Sequence, residues 1–325
     1  MFKFGNIEIN NKVILAPMAG ITSSGYRKFM SAFKPGYMVT EMVSDMGLIY
    51  GNEETKSYVL FEKSDIPVGV QLFGNSPENM AKAALICENL NPNIAFYDIN
   101  MGCPVPKVTK AGSGSSLMND PKLCGEIVKA IKEAVHKPVS VKIRLGVNSS
   151  SITFKEVIKE IQKVGVDLIA IHPRTAKEMY GGKPHWDMVK DLKKIVNVPL
   201  VVSGNIYTVE DAVQAMEITG ANAVMVARGG VGNPLLVSNI NKHFEGEEVD
   251  TPNLLQQIEF CKQLAKDFIE EKGEYTAMKV CRGIVTKFFD GFPNSKQLKC
   301  RLSTDLNTYQ DLINLLDEYR NQFDL

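Results

Sequence analysis

The sequence contains no C-x-x-C pair, and its six cysteines (87, 103, 124, 261, 281 and 300) keep no regular spacing with its four histidines. Those gaps argue against a zinc site and against a disulfide framework. No uninterrupted apolar stretch approaches about 18 residues, the length a membrane helix needs. The first ten residues, MFKFGNIEIN, also lack the apolar centre of a signal peptide. The expectation is therefore a cytoplasmic protein with reduced thiols. Net charge is missing too, since 37 basic residues balance 37 acidic ones. Bulk charge gives no pointer to a nucleic-acid partner, so any such partner must show in local clusters. Low-complexity linkers and close internal repeats are absent.

What is present is an ordinary globular composition, 44% hydrophobic and 23% charged over 325 residues. That suffices for one large α/β domain and a smaller one. Short β-branched runs alternate with helix-like stretches. The runs are VILAP (13–17), YMVTE (37–41), VGVQLF (68–73), AFYDIN (95–100), VSVKIRL (139–145), LIAIHP (168–173), LVVSG (200–204) and AVMVAR (223–228). Between them, Ser76-Pro77-Glu78, Asp120-Pro121 and Asn233-Pro234 each place a capping side chain before a first-turn proline. Thr208-x-x-Asp211 reads as a variant capping box. An open dinucleotide-binding sheet would carry G-x-G-x-x-G after its first strand, but this chain has APMAGITSSG. The expected fold is α/β: a TIM (β/α)8 barrel over residues 1–245, then a smaller all-helical domain over 246–325. Helices are expected at 253–272, 275–290 and 295–323.

In such a barrel the strands' C-terminal ends carry the site. Alternation turns Ser140, Lys142 and Arg144 inward and pairs Gly69 with Gln71 on one side. Glu41, Asn100 and His172 stand at strand ends. An inward lysine needs an accepting partner. Two readings stay open for Lys142: a structural ion pair with Glu41 or Asp98, or an electron-rich cofactor edge. Gly204, Gly229 and Gly230 follow the last two strands, where this fold often holds a phosphate, and Arg228 could add a charge-assisted contact.

The stretch INMGCPVPKVTKAGSG (99–114) sets one thiol between a glycine and a proline. Together with APMAG, TEMVS, QLFG, VKIRLG and HPRTAKEMYGG, it resembles the tRNA-dihydrouridine synthase family. The resemblance extends to MKVCRGIVTKFFDGFPNSKQLKCRL near the C-terminus. It implies an FMN-dependent barrel, a helical tRNA-binding domain, and reduction of particular tRNA uridines by NADPH. It further implies that Pro17, Met18, Ala19, Gln71, Lys142 and His172 line the flavin. Ser203, Gly204, Asn205, Ala227 and Arg228 would hold its phosphate end. Cys103 would be the catalytic acid, with Asn100 orienting the base and Glu41, Arg144 and Arg174 also on the substrate side. The chain departs from the family at Ser203-Gly204-Asn205, at Ala227-Arg228 and at Pro173, which offers no N–H.

A thiol with a reference pKa of about 8.5 is mostly protonated at neutral pH and can serve as an acid. A nucleophilic role would need an activating base, and no histidine is near Cys103 in sequence. Pro104 and Pro106 keep the loop extended. RNA binding needs a basic face. Residues 279–301 carry Lys279, Arg282, Lys287, Lys296, Lys299 and Arg301 against Asp290 alone. Lys107, Lys110, Arg174 and Lys177 would extend that face; the alternative is a set of merely solvated helices. Two other functions stay open: an FMN barrel enzyme acting on a free pyrimidine, and a tRNA-binding protein without turnover. No metal is expected.

Overall fold

Aromatic residues plug one end of a closed barrel and leave the other end polar. The computed structural model describes residues 1–323. A hairpin of β1 (Phe2–Phe4) and β2 (Ile7–Ile9) comes first. The parallel strands are β3 (Val13–Leu15), β4 (Met38–Ser44), β5 (Val68–Phe73), β6 (Phe96–Met101) and β7 (Val139–Asn148). A two-residue β8 (Ser151–Ile152) folds back antiparallel on β7, and β9 (Leu168–Thr175), β10 (Leu200–Ser203) and β11 (Ala223–Val226) follow. Strand β11 pairs with β3 and β6 with β7, so eight parallel strands close into a cylinder. The expected TIM barrel is what the chain forms.

Alternation along these strands sends Tyr37, Val39, Phe96, Leu168, Ala170, Val201, Ala223 and Met225 into one core with Phe4 and Ile9. The Phe4 ring meets Phe96 edge-on at 5.2 Å and Tyr37 at 5.7 Å, and Tyr37 meets Phe96 at 5.1 Å. Each such pair adds about 0.5–1.5 kcal/mol beyond burial. Gly69 makes room for them, because a Cβ there would sit 2.3 Å from the Phe96 ring. The hairpin lies outside the periodic pattern because three-residue strands are too short to show one.

Local signals are mostly obeyed. Ser76 and Asp120 cap their helices, Pro77–Leu90 and Pro121–Ala134, through the amides of Asn79 and Leu123. Thr208 and Asp211 form the reciprocal box. Asn233 does not cap. The helix Leu235–Glu245 takes Pro234 as its N-cap, with no side-chain bond. Between β9 and β10 the chain forms only 3-10 turns, Trp186–Val189 and Leu192–Lys194.

The chain divides into two compact units: residues 1–22 with 35–227, and residues 23–34 with the chain from Arg228 onward. The sequence places this change at 245/246 instead. Two packing facts explain the difference within the second unit. Phe29 of the helix Ser24–Ser31 packs against Phe260 and Phe288, at 6.3 and 6.2 Å. Glu271 accepts hydrogen bonds from the Ser23 hydroxyl and the amides of Ser24 and Gly25. The later helices are Leu254–Lys272, Glu274–Ile284, Ser295–Thr304 and Tyr309–Arg320. The expected 295–323 helix is broken because Thr308 and Asp311 form a capping box that starts a new one.

Candidate active site

Four polar side chains are linked across the open end of the barrel. Gln71 and Asp98 are register partners on β5 and β6, and Asn100 pairs with Lys142 across β6 and β7. The Gln71 amide donates to Asp98 at 2.6 Å, and the Ser140 hydroxyl donates to the other Asp98 oxygen at 2.6 Å. The Asn100 amide nitrogen donates to Gln71 Oε1 at 2.8 Å and contacts Met42 Sδ at 3.0 Å. Burial raises the Asp98 pKa, and the bonds from Gln71 and Ser140 offset it in part.

Cys103 is set by this network. Asn100 Oδ1 accepts the amides of Gly102 (3.1 Å) and Cys103 (2.8 Å), and the Cys103 carbonyl accepts the Ser115 amide at 2.9 Å. Gly114, at φ +60°, permits that closure, because a Cβ there would lie 2.7 Å from the Cys103 carbonyl oxygen. The thiol is half-buried and free. Burial pushes its pKa up against the opposing pull of the Val105 amide, Arg144 and Lys142. The shift favours the protonated thiol.

Lys142 forms neither of the expected ion pairs. Asp98 is held by Gln71 and Ser140, while Glu41 accepts the Gly20 amide. A bulge at Thr40–Glu41 re-aims Glu41, with Thr40 Oγ1 taking the Gln71 amide at 3.1 Å. Among the described residues the Lys142 ammonium has no hydrogen bond or salt bridge. Desolvation, then Arg144, lower its pKa to about 8 against Asp98 and Cys103. A cation in that state can accept an electron-rich or anionic edge.

Arg144 and Arg174 differ from expectation. Both stand at 2% exposure or less, which corrects the reading of Arg174 as part of an exposed basic face. Arg144 donates to the carbonyls of Gly102, Thr175 and Met179, and its guanidinium lies 5.4 Å from the Tyr180 ring centre. Arg174 donates to Gly181 O, Gly182 O and Asn205 Oδ1 and meets His172 Nε2 at 2.9 Å. These guanidinium groups fasten the loops around the barrel mouth. His172 is buried, with Tyr180 stacked at 6.3 Å. Gly204, at φ +127°, leaves it space, since a Cβ would fall 2.9 Å from His172 Cδ2.

The remaining expected residues fall as follows. Pro17 and Met18 are half-buried and Ala19 is exposed beyond β3; Ser203 is buried, with Gly204 and Asn205 half-buried after β10, and Ala227 is half-buried after β11. Arg228 is exposed and belongs to the second unit. Lys107 and Lys110 are exposed on the loop after Cys103. In the second unit the basic cluster is diluted by Asp290 within the 279–301 window and by acids beyond it. Arg301 pairs with Glu318 and Asp305, and Lys299 pairs with Asp290 at 2.8 Å. Arg282 fastens Leu306 and Asn307, and Lys279 donates to the Tyr275 hydroxyl at 2.6 Å. Lys279, Lys287 and Lys296 remain exposed. Sequence reasoning marked HPRTAKEMYGG but missed Glu178, which accepts from Thr175 and pairs with His185. No periodic pattern marks it.

The profile described as "Dihydrouridine synthase (Dus)" matches residues 14–323. The chain belongs to the dihydrouridine synthase family. A relative named probable tRNA-dihydrouridine synthase, from Rickettsia conorii, is 33% identical over 301 residues, 92% of this chain and 90% of the relative. One of the same name from Aquifex aeolicus is 34% identical over 292 residues, 89% and 90% of the two chains. Among solved structures, an old yellow enzyme homologue from Zymomonas mobilis shares the fold with a TM-score of 0.54 at 11% identity, covering 78% of this chain and 94% of that one. As a dihydrouridine synthase the chain is a flavin-dependent reductase.

Proposed function

We propose that this protein reduces the C5=C6 bond of particular uridines in tRNA, with FMN as resident cofactor, NADPH as reductant and the Cys103 thiol as the proton donor to C5. The observation that carries the reading is the pairing of a protonated, half-exposed thiol with an unpartnered Lys142 cation on one barrel rim. Family membership and the names of the relatives support the substrate.

The residues fit a flavin. An unpaired ammonium, Met18 and Ala227 packed against the apolar core, and a glycine beside His172 suit a planar, electron-rich ring system. Pro17, Met18, Ala19, Gln71, Lys142 and His172 would line it. Ser203, Gly204, Asn205 and Ala227, with Arg228 next in the chain, would take the phosphate end. When bound, the cofactor supplies hydride to C6 of the pyrimidine. Addition there places negative charge on the C4 carbonyl and C5, and Cys103 Sγ–H delivers the proton that C5 needs. Asn100 contributes by holding the turn that aims Cys103. Lys142 would offer its positive charge to the electron-rich edge of the bound flavin. Lys107 and Lys110 in one unit, and Lys279, Lys287 and Lys296 in the other, are read as phosphate contacts, so binding should weaken steeply with salt. The uridine must leave its stack to reach the barrel mouth.

The deciding experiment is nucleoside mass spectrometry of tRNA from cells lacking this protein, mapped by position. Loss of dihydrouridine at defined positions is expected; an unchanged profile overturns the substrate. Parallel assays on free uracil and on tRNA separate this reading from a free-pyrimidine reductase.

A further inference from the structure

We infer that Arg174 is a positioning residue: its guanidinium locks the His172 imidazole as the neutral, Nδ1-protonated tautomer. The argument begins with what each group can do. A guanidinium carries only donors and keeps its proton in proteins. Arg174 Nη1 and His172 Nε2 are 2.9 Å apart, a hydrogen-bond distance. The ring nitrogen must therefore present its lone pair. An imidazolium has no lone pair to present, and the Nε2–H tautomer would point a hydrogen at a hydrogen. Only the neutral ring with its proton on Nδ1 satisfies the contact.

The guanidinium has little freedom to turn away. Its Nε donates to Gly181 O at 2.9 Å, and Nη2 donates to Gly182 O at 2.6 Å and Asn205 Oδ1 at 3.0 Å. Arg174 has 0% exposure and His172 has 6%. The histidine is held as well, with Tyr180 stacked on its ring and the bare Cα of Gly204 beside it. The charged surroundings agree. Arg144 is the register partner of His172 on β7, and Lys142 lies two residues earlier on that strand. Across the loop, Glu178 is committed to Thr175 and His185. A positive charge on His172 would sit among three cations, Arg174, Arg144 and Lys142. The β9 register shifts against β7 between His172 and Thr175, so the contact lies at an irregularity of the strand.

The tautomer follows from geometry alone; only its use toward a flavin rests on the function proposed above. The test is long-range 1H–15N NMR on the full-length, histidine-15N-labelled protein, with and without added FMN. The His172 signal is assigned by elimination with His136→Gln, His185→Gln and His243→Gln. The expected result is an unprotonated Nε2, a protonated Nδ1 and no titration between about pH 5 and 8, where an unperturbed histidine changes charge. Arg174→Gln should bring the ring into that window and populate the Nε2–H tautomer, and Arg174→Lys should restore the wild-type pattern. A protonated Nε2 or a titrating ring in the wild type overturns the inference even if the variants fail to fold. An unchanged tautomer in folded Arg174→Gln overturns it too. The expected tautomer in a protein that binds no flavin sustains this inference and removes the cofactor reading.

Discussion

Asn100 and Cys103 are joined across three residues by a side-chain oxygen that accepts the Gly102 and Cys103 amides. The residue that starts the turn thereby fixes the orientation of the residue that carries the thiol. Replacing Asn100 with Ala leaves two amides without their acceptor, one of them buried. The expected loss is about 1–3 kcal/mol per buried unsatisfied group, read as a lower urea midpoint. Asn100→Asp keeps the acceptor and should recover much of that stability. Equal midpoints for Asn100→Ala and wild type would mean the turn does not depend on this bond.

Cys103→Ala removes the acid without touching the backbone turn. Flavin should stay bound while dihydrouridine formation in a single turnover slows by about 10²–10⁴-fold, the usual worth of a placed general acid. A variant turning over at the wild-type rate would exclude the thiol from the chemistry.

Lys142 gives the site a pH dependence with a definite sign. Its folded-state pKa lies near 8, below the ordinary lysine value of 10.5. Between those values the unfolded chain binds more protons, so stability of the ligand-free protein rises with pH in that window. The penalty is fully present below about pH 8. Retention of an anionic ligand should run the other way and weaken above pH 8, as the ammonium is lost. Lys142→Met should abolish both trends, measured by thermal melts and by flavin fluorescence across pH. A Lys142→Met melt profile that still rises over this range would assign the trend elsewhere.

Glu178 reports on the loop over the barrel mouth. Desolvation raises its pKa, but His185 and the amide and hydroxyl of Thr175 outweigh that and hold it at about 2. A carboxylate lowered in the folded state stabilises above its ordinary value and loses that contribution as pH falls toward 2. Trp186, the chain's single tryptophan, follows His185 directly and reads the loop by fluorescence. Glu178→Gln should remove the acid-dependent part of the Trp186 signal between about pH 4.5 and 2. An acid limb identical to wild type would show that Glu178 does not hold the loop.

Gly69→Ala tests how the barrel is filled. The new Cβ would lie 2.3 Å from the Phe96 ring, and that ring is wedged between Phe4 and Tyr37. Overpacking of this kind costs about 1–3 kcal/mol. The lower melting temperature should be partly rescued by Phe96→Leu, which takes the ring away. Additive destabilisation in the double variant would place the strain elsewhere.

By itself the sequence determined the features that repeat or act locally. Strand alternation turned Ser140, Lys142 and Arg144 inward, the strand runs ended at Asn100 and His172, and the capping residues at 76, 120 and 208 started their helices, because neighbours in sequence supply those forces. It also carried the Cys103 motif. Only the tertiary structure decided which partners each inward side chain would find. It committed Asp98 to Gln71 and Ser140, left Lys142 unpaired, and buried Arg144 and Arg174 among loop carbonyls. It also supplied Glu318 and Asp305 to neutralise Arg301. Hydrogen bonds and ion pairs act over a few ångströms, and barrel closure and helix packing set those distances between residues far apart in the chain.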